Sequence, residues 1–307
     1  MLGQNKKQFD FMGKARIAVV LSILLVAFSI FQWVALGDNK YGIDFKGGQE
    51  LLVRFNSDVD ATAVKSAMES SGVTEPVIQA FEDSNNEYSI RVPLLSGETK
   101  TSGLDQIRAA LTAKFPSGYE ELASNSVGPT IGSELKRKAT IAFALGLLVL
   151  LVYITIRFEF AFALGAVAAV FHDVIVCIGI YLAFGNTLTM GALAAALTIV
   201  GYSVNDTIVV FDRMREEMGK RKDFDVIQLM NECLNMTLSR TIITSLLTFF
   251  SALSLFVIGG GAIKDLSFFL VVGLISGTYS TIYIASPIAY WWDRFRNPIA
   301  AEAAKSA

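Results

Sequence analysis

Histidine and cysteine are nearly missing from this chain, and their scarcity removes whole classes of function. Among 307 residues there is one histidine, His172, and two cysteines, Cys177 and Cys233. A structural zinc site needs about four Cys or His ligands, so a metal role is not expected. Neither cysteine falls in the long polar stretch between residues 37 and 135, which excludes a disulfide framework there. Charge is scarce as well, at 18% of residues against about 25% in an average soluble domain. The net charge is −2, and no basic run is long enough to track phosphates, so nucleic acid is not an expected partner. Gly259-Gly260-Gly261 has no Lys-Ser/Thr after it and no strand pattern before it. It is therefore not a phosphate loop, and no cofactor is expected.

What is abundant is apolar surface, at 53% of residues. A hydrocarbon core of about 30 Å takes roughly 20 apolar residues of helix. Six stretches qualify: 17–36, 139–156, 160–184, 188–211, 241–258 and 266–290. The first exceeds the roughly 7–15 apolar residues of a signal peptide and has no good A-x-A site after it, so it reads as an uncleaved anchor. Membrane lipid is the expected surrounding.

Basic residues near span ends set orientation. Lys6, Lys7, Lys14 and Arg16 precede the first span, and Arg157 lies between spans two and three. Arg213, Arg215, Lys220, Arg221, Lys222 and Arg240 crowd the connection between spans four and five, and Arg294 and Arg296 follow the last span. All fall on one side if both termini are cytoplasmic. Lys136, Arg137 and Lys138 disagree, but long loops translocate largely regardless of charge. The expected plan is then a cytoplasmic N-terminus (1–16), span one (17–36), a periplasmic domain with its linker (37–138) and spans two to four (139–211). A cytoplasmic loop (212–240), spans five and six (241–290) and a cytoplasmic tail (291–307) complete it.

Residues 37–135 carry 8 Lys and Arg against 15 Asp and Glu, a net charge of −7, and their apolar period changes in a readable order. Gln49–Phe55, Pro76–Phe81, Tyr88–Val92 and Tyr119–Val127 read as strands, the middle two joined by a turn at Asp83-Ser84-Asn85-Asn86. Asp60–Ser71 is helical, with Gly72 after it. Leu104, Ile107, Leu111 and Phe115 recur at helical spacing between Ser102 and Pro116. The order β-α-β-β-α-β is the ferredoxin-like plan. The expected fold class is thus a six-span α-helical membrane protein with one α+β ferredoxin-like outer domain.

A carboxylate inside a span is costly and is a functional candidate by default. Asp173 follows His172 in span three, and Asp206 follows Asn205 in span four. At about 100° per residue, Thr198, Tyr202, Asn205, Asp206 and Asp212 share one face of span four. Val200, Val204, Ile208 and Phe211 take the other, which is expected to face lipid while the polar face turns inward. In span five Arg240, Thr241, Thr244, Thr248 and Ser251 form a polar stripe. A guanidinium at Arg240 reaching inward would meet Asp206. Burial and a nearby cation act in opposite senses on a carboxylate's hold on its proton, so motion of one helix against the other would couple proton passage to shape. Plainer readings stand beside this one: Arg240 as a charge anchor, Asn205 and Asp206 as interhelical glue, and His172–Asp173 as a satisfied buried pair. Gly273, Gly277 and Thr281, with Ser276 and Ser280, give span six a small-residue face, and Ser286-Pro287 is expected to kink or end it.

Several motifs resemble those of one family. Gly42-Ile43-Asp44-Phe45-Lys46-Gly47-Gly48 after span one is similar to the glycine-rich motif of the SecD/SecF proteins, and Val127-Gly128-Pro129-Thr130-Ile131-Gly132 to their second motif. The run from Gly201 to Arg213, with Asn205, Asp206, Asp212 and Arg213, resembles their fourth-span signature, and Ser239-Arg240-Thr241 their fifth-span entry. The resemblance implies a member of the resistance-nodulation-division superfamily, in which two six-span halves pack about a pseudo-twofold axis. It implies no enzyme but a proton-coupled translocation subunit of the Sec pathway in the bacterial inner membrane. The implied partners are a SecD-like six-span subunit, the SecYEG channel and an exported unfolded polypeptide. Asp206 and Arg240 match the family's intramembrane acid and base, and His172–Asp173 also matches a family pattern. On the SecD side of the family the acid stands one position earlier, where this chain has Asn205. Two rivals are half of a small-molecule or lipid exporter, which would carry larger outer domains, and an intramembrane aspartyl protease. The contexts His172-Asp173 and Asn205-Asp206 lack the Tyr-Asp and Gly-x-Gly-Asp motifs of the latter.

Overall fold

A computed structural model describes residues 8–73, 75–80, 86–93, 102–221, 224–259 and 262–296. In chain order it contains α1 (Ala15–Ala35), a 3-10 turn (Gly37–Lys40), α2 (Ile43–Lys46), β1 (Gly48–Phe55), α3 (Ala61–Ser70), β2 (Val77–Ala80), β3 (Glu87–Val92) and α4 (Ser102–Lys114). Then come β4 (Tyr119–Val127), α5 (Pro129–Arg157), α6 (Phe160–Ala183), α7 (Met190–Lys220), α8 (Val226–Ile258), α9 (Ala262–Ser280), a π-helical turn (Thr281–Ala285) and α10 (Ser286–Arg296). They divide into two compact units. One draws on residues 36–143 and 185–193, the other on 1–35, 144–184 and 194–307.

The first unit holds a four-stranded antiparallel sheet in the order β2-β3-β1-β4. With α3 and α4 this is the ferredoxin-like plan that the sequence pattern predicts. Side chains alternate along a strand, so Leu51, Val53 and Phe55 of the central strand β1 point to one face. There they meet Val64 and Met68 of α3 and Leu104, Ile107 and Leu111 of α4 in one core. Phe55 anchors one end against Phe115, with ring centroids 4.7 Å apart. Gly72, at φ +79°, follows α3 and supplies the left-handed residue that commonly closes a helix. The expected turn at Asp83–Asn85 lies outside the described residues.

The 3-10 turn and α2 have no counterpart in the periodicity, because four residues are too few to show one. They are built by the two glycine motifs. Gly47 has φ +77°, and a Cβ there would stand 2.7 Å from Cα of Pro129; a Cβ on Gly132 would stand 2.7 Å from the Gly47 nitrogen. Bare backbones pass each other where Gly48 opens β1 and Gly128-Pro129 opens α5. The Gly42 N–H donates to the Leu188 carbonyl (2.8 Å) and the Leu188 N–H to that of Lys40 (2.7 Å). The Asp44 carboxylate accepts from the Met190 N–H at 2.8 Å, an anion at the positive end of α7. Lys136, which dissented from the charge pattern, holds its ammonium 3.7 Å from the centre of the Tyr41 ring.

The second unit is helical. Among the described residues six helical runs are long and apolar enough to cross a membrane: Ala15–Ala35, Pro129–Arg157, Phe160–Ala183, Met190–Lys220, Val226–Ile258 and Ile263–Trp292. They coincide with the six expected spans, and the protein is a multi-pass membrane protein. α6 packs against α1, α9 and α10. Its Ala163, Gly165, Ala166 and Ala169 let neighbours approach closely, the usual device where lipid gives no hydrophobic drive to helix association.

Three expectations need correcting. The connection at 212–240 is mostly helix, because α7 and α8 extend through it on a lattice of charges. Lys220 pairs with Glu216 at 2.6 Å, Arg213 with Glu217 at 3.0 Å, and Arg221 reaches across to Glu232 at 2.7 Å. Pairs spaced three or four apart support a helix that hydropathy alone cannot see. Second, of the two outcomes expected at Ser286-Pro287, a kink or an end, the end does not occur. The π-helical turn just before Pro287 widens the backbone where the proline ring would strike the preceding carbonyl, the Ser286 hydroxyl bonds the Thr281 carbonyl (3.0 Å), and the helix continues. Third, the polar face of span four is not turned into this chain, as detailed below.

The charged segments of the helical unit gather at one end. The Phe11 and Met12 N–H groups donate to the Asn231 side chain at 2.9 and 3.0 Å, and Asn235 bonds Phe9. Arg157 pairs with Asp212 at 3.4 Å, and the Arg215 guanidinium bonds the Arg157 carbonyl. The N-terminal segment, the turn between spans two and three and the extensions of α7 and α8 thus share one end, as the positive-charge pattern requires.

Candidate functional site

In α7 the apolar residues Val200, Val204 and Phe211 are buried in the helical unit, while Thr198, Tyr202, Asn205 and Asp212 are exposed. This reverses the sequence expectation. Besides Glu217 in its charged extension, the polar residues that α7 buries are Ser203 and Thr207, small enough to pack and able to satisfy their hydroxyls on Asp173 and on the Ser203 carbonyl. Six helices leave the larger polar side chains uncovered on the surface of this chain.

Asp206 stands between these faces, half-buried. It lines a notch of about 50 Å³ with Tyr202, Ser203, Asn205, Thr244, Ser245 and Thr278, room for a few water molecules at roughly 10–15 Å³ each. Gly273 and Gly277 form part of the wall. The Ser245 hydroxyl donates to Asp206 Oδ2 at 3.1 Å, and the Thr278 hydroxyl donates to Ser245 at 3.1 Å. Three helices thereby converge on one carboxylate. Arg240 lies on the exposed side of α8, five residues and so about 7 Å along the axis from Ser245. Its charge is within electrostatic reach of Asp206, but the hydrogen-bonding partner of the carboxylate is Ser245. Asp206 and Asn205 therefore meet in the notch, with Arg240 beyond its rim.

Asp173 is completely buried, at 0% exposure. Its Oδ1 accepts from Ser276 (2.6 Å) and lies 3.0 Å from Nδ1 of His172, and its Oδ2 accepts from Ser203 and Ser280, both at 2.6 Å. Four polar partners from α6, α7 and α9 fill the capacity of one carboxylate. A buried carboxylate with this many donors is held without a basic partner. Gly277 keeps the helices close, since a Cβ there would lie 3.3 Å from Cα of Ser203.

Asp212 and Arg213 sit outside this constellation, Asp212 paired with Arg157 and Arg213 with Glu216 and Glu217. Among the described residues no three His, Cys, Asp or Glu side chains gather as a metal would require. The sequence reading passed over Ser203 and Ser245, and it took Ser276 and Ser280 only for packing residues. Their four-residue spacing on α9, opposite an intramembrane aspartate, was the available signal.

Residues 106–295 match the family described as protein export membrane protein SecD/SecF, C-terminal. The chain is 37% identical over 284 residues to the protein translocase subunit SecF of Rickettsia felis, covering 92% of each chain. It is 38% identical over 298 residues to that of Calditerrivibrio nitroreducens, covering 94% of this chain and 95% of the relative. Among solved structures it resembles SecDF, a translocon-associated membrane protein from Thermus thermophilus, with a TM-score of 0.84 and 36% identity over 96% of this chain. A SecDF structure in a super-membrane-facing form gives a TM-score of 0.70 at 35% identity. The chain spans 40% and 41% of those two SecDF chains.

Proposed function

The chain belongs to the SecD/SecF family of protein-export membrane proteins, and from that premise we propose that it is a SecF-type accessory subunit whose Asp206 couples a proton gradient to export. The observation that carries the proposal is the notch. A carboxylate within an apolar helix accepts from the Ser245 hydroxyl of a second helix, which in turn accepts from Thr278 of a third, at the edge of the face of α7 that this chain leaves uncovered. The relatives named SecDF are more than twice as long as this chain, so a second six-span half, SecD-like, is the partner expected to cover that face. Asp206 is the proton-binding group and Arg240 its nearby cation, with Asn205 beside them and His172–Asp173 behind. Residues 37–138 lie in the periplasm and both termini in the cytoplasm, with the protein in the inner membrane beside the SecYEG channel. The work done is to draw an unfolded exported chain across.

The test is export into inverted vesicles from cells lacking this chain. ATP-driven export is expected to persist while its stimulation by a proton gradient is lost, and restoring the chain with its partner is expected to return the stimulation. Full stimulation in the depleted vesicles would remove the proposal.

A further inference from the structure

From the Asp173 cluster we infer that Asp173 is a second proton-holding carboxylate in series with Asp206, and that the Ser203 hydroxyl carries the proton between them. The inference rests on the reading of Asp206 as the point of entry. Ser203 occupies both places at once. It lines the notch that Asp206 lines, one helical turn away on the same side of α7, and its hydroxyl donates to Asp173 Oδ2 at 2.6 Å.

In the resting state of this relay Asp173 is the carboxylate. His172 Nδ1 lies 3.0 Å from Asp173 Oδ1 and meets a carboxylate there, so Nδ1 carries the hydrogen and donates. Nε2 is then unprotonated; it is buried and has no hydrogen-bond partner among the described residues. The pair as drawn has one negative charge and no cation. Among the described residues no lysine or arginine pairs with either one. The titratable groups facing the pair are Cys177, one turn on in α6, and Tyr279 of α9, whose ring centroid is 6.0 Å from that of the imidazole. Tyr283 lies behind Tyr279, at 5.3 Å between ring centroids, and Asp206 lies beyond Ser203. None of these is a cation. One added proton makes the buried pair neutral, and an uncompensated charge in an apolar interior is the costly state.

The transfer balances without any other reactant. Ser203 gives its hydroxyl proton to Asp173 Oδ2 and takes one on the notch side, from protonated Asp206 or from water that Asp206 has protonated. The Ser203 hydroxyl then accepts from Asp173 where it formerly donated. Asp206 is left as the carboxylate, and Ser276, Ser280 and His172 keep Asp173 in place throughout. Return of the proton runs the same bonds backwards.

The test uses the full chain in lipid nanodiscs and infrared difference spectra after a pH jump. Two carboxylic-acid signals are expected, one removed by Asp206→Asn and the other by Asp173→Asn. Ser203→Ala should leave the Asp206 signal at its wild-type rate and slow the Asp173 signal about 100-fold, the scale of a lost proton-transfer group. Ser203→Thr, which keeps a hydroxyl, should restore most of the rate. Because His172 is the only histidine, its two nitrogen resonances report whether the Ser203→Ala chain keeps the Nδ1–H form. Retention is expected, since three of the four partners of Asp173 remain. An absent Asp173 signal, an unchanged rate in Ser203→Ala, or a resting Nε2–H form in the wild type would overturn the inference. Export with Asp206→Asn separates the two ideas: unimpaired gradient stimulation there would remove the role of Asp206 and leave the Ser203–Asp173 link to be judged on the infrared rates.

Discussion

The contact between Gly273 of α9 and Ile199 of α7 sets the spacing on which both carboxylate sites depend, and it can be tested quantitatively. A Cβ on Gly273 would stand 2.4, 2.5 and 2.7 Å from Cδ1, Cγ1 and Cγ2 of Ile199, far inside ordinary contact. Isoleucine in a helix is nearly confined to one χ1 rotamer, and Ile199 is 1% exposed, so it cannot swing clear. Gly273→Ala should therefore destabilise by about 2 kcal/mol, within the usual range for overpacking. Ile199→Ala alone should cost about 3 kcal/mol through lost burial and a cavity. The double variant removes the colliding carbons and puts a methyl into the space they leave. It should be about 2 kcal/mol more stable than the sum of the two losses, the coupling expected of residues in contact. Reversible unfolding of the full chain in bicelles, run as a double-mutant cycle, measures this. Additivity to within about 0.5 kcal/mol would refute the claim that this contact holds α7 against α9.

Four further outcomes are expected. Gly47→Ala must place a Cβ at φ +77° and 2.7 Å from Cα of Pro129; left-handed backbone alone costs about 1–2 kcal/mol, so unfolding measurements should show a loss larger than that. The Arg108 guanidinium, hydrogen-bonded to Glu121 at 2.7 and 3.0 Å, holds that carboxyl below its ordinary range. Its contribution is present above the unfolded carboxyl's pKa and is lost as pH falls through the lower folded value. The stability gap between wild type and Arg108→Ala, under about 1 kcal/mol for a pair this exposed, should therefore close on acidification. In sidedness experiments an impermeant thiol reagent should label Glu69→Cys in intact spheroplasts and not Gly219→Cys, against little background because both native cysteines are buried; the reverse pattern would overturn the orientation. Affinity purification from native membranes should bring down a six-span partner, and a cysteine at Tyr202 should crosslink to it; a chain monodisperse by itself would count against the paired architecture.

Much of this architecture was legible in the sequence because it is periodic. Runs of about twenty apolar residues are spans in any context, and the order of alternating and helical patterns between residues 37 and 135 gives the sheet and its two helices. Tyr119–Val127 is a strand with those same ends in the structure. The glycine motifs were visible as a resemblance, but their physical role was not. Only the fold shows that Gly47 and Gly132 let two backbones touch and that Asp44 caps α7.

The face of α7 was read the wrong way round for a physical reason. Hydropathy places polar residues away from lipid, yet a chain that works with a partner subunit can do so by turning them toward that partner. Ser203 and Ser245 escaped because one hydroxyl has no pattern of its own. Its meaning comes from the helix opposite, and one sequence does not say which helix that is.

The claim that Asp206 binds the coupling proton is tested most directly by export into inverted vesicles carrying Asp206→Asn, with and without a proton gradient. Asparagine keeps the size of the side chain and a hydrogen-bond acceptor for Ser245 but cannot take up and release the proton. The account predicts a chain that assembles normally and supports ATP-driven export, with gradient stimulation reduced to that of vesicles lacking the chain. Full stimulation with Asp206→Asn would contradict it.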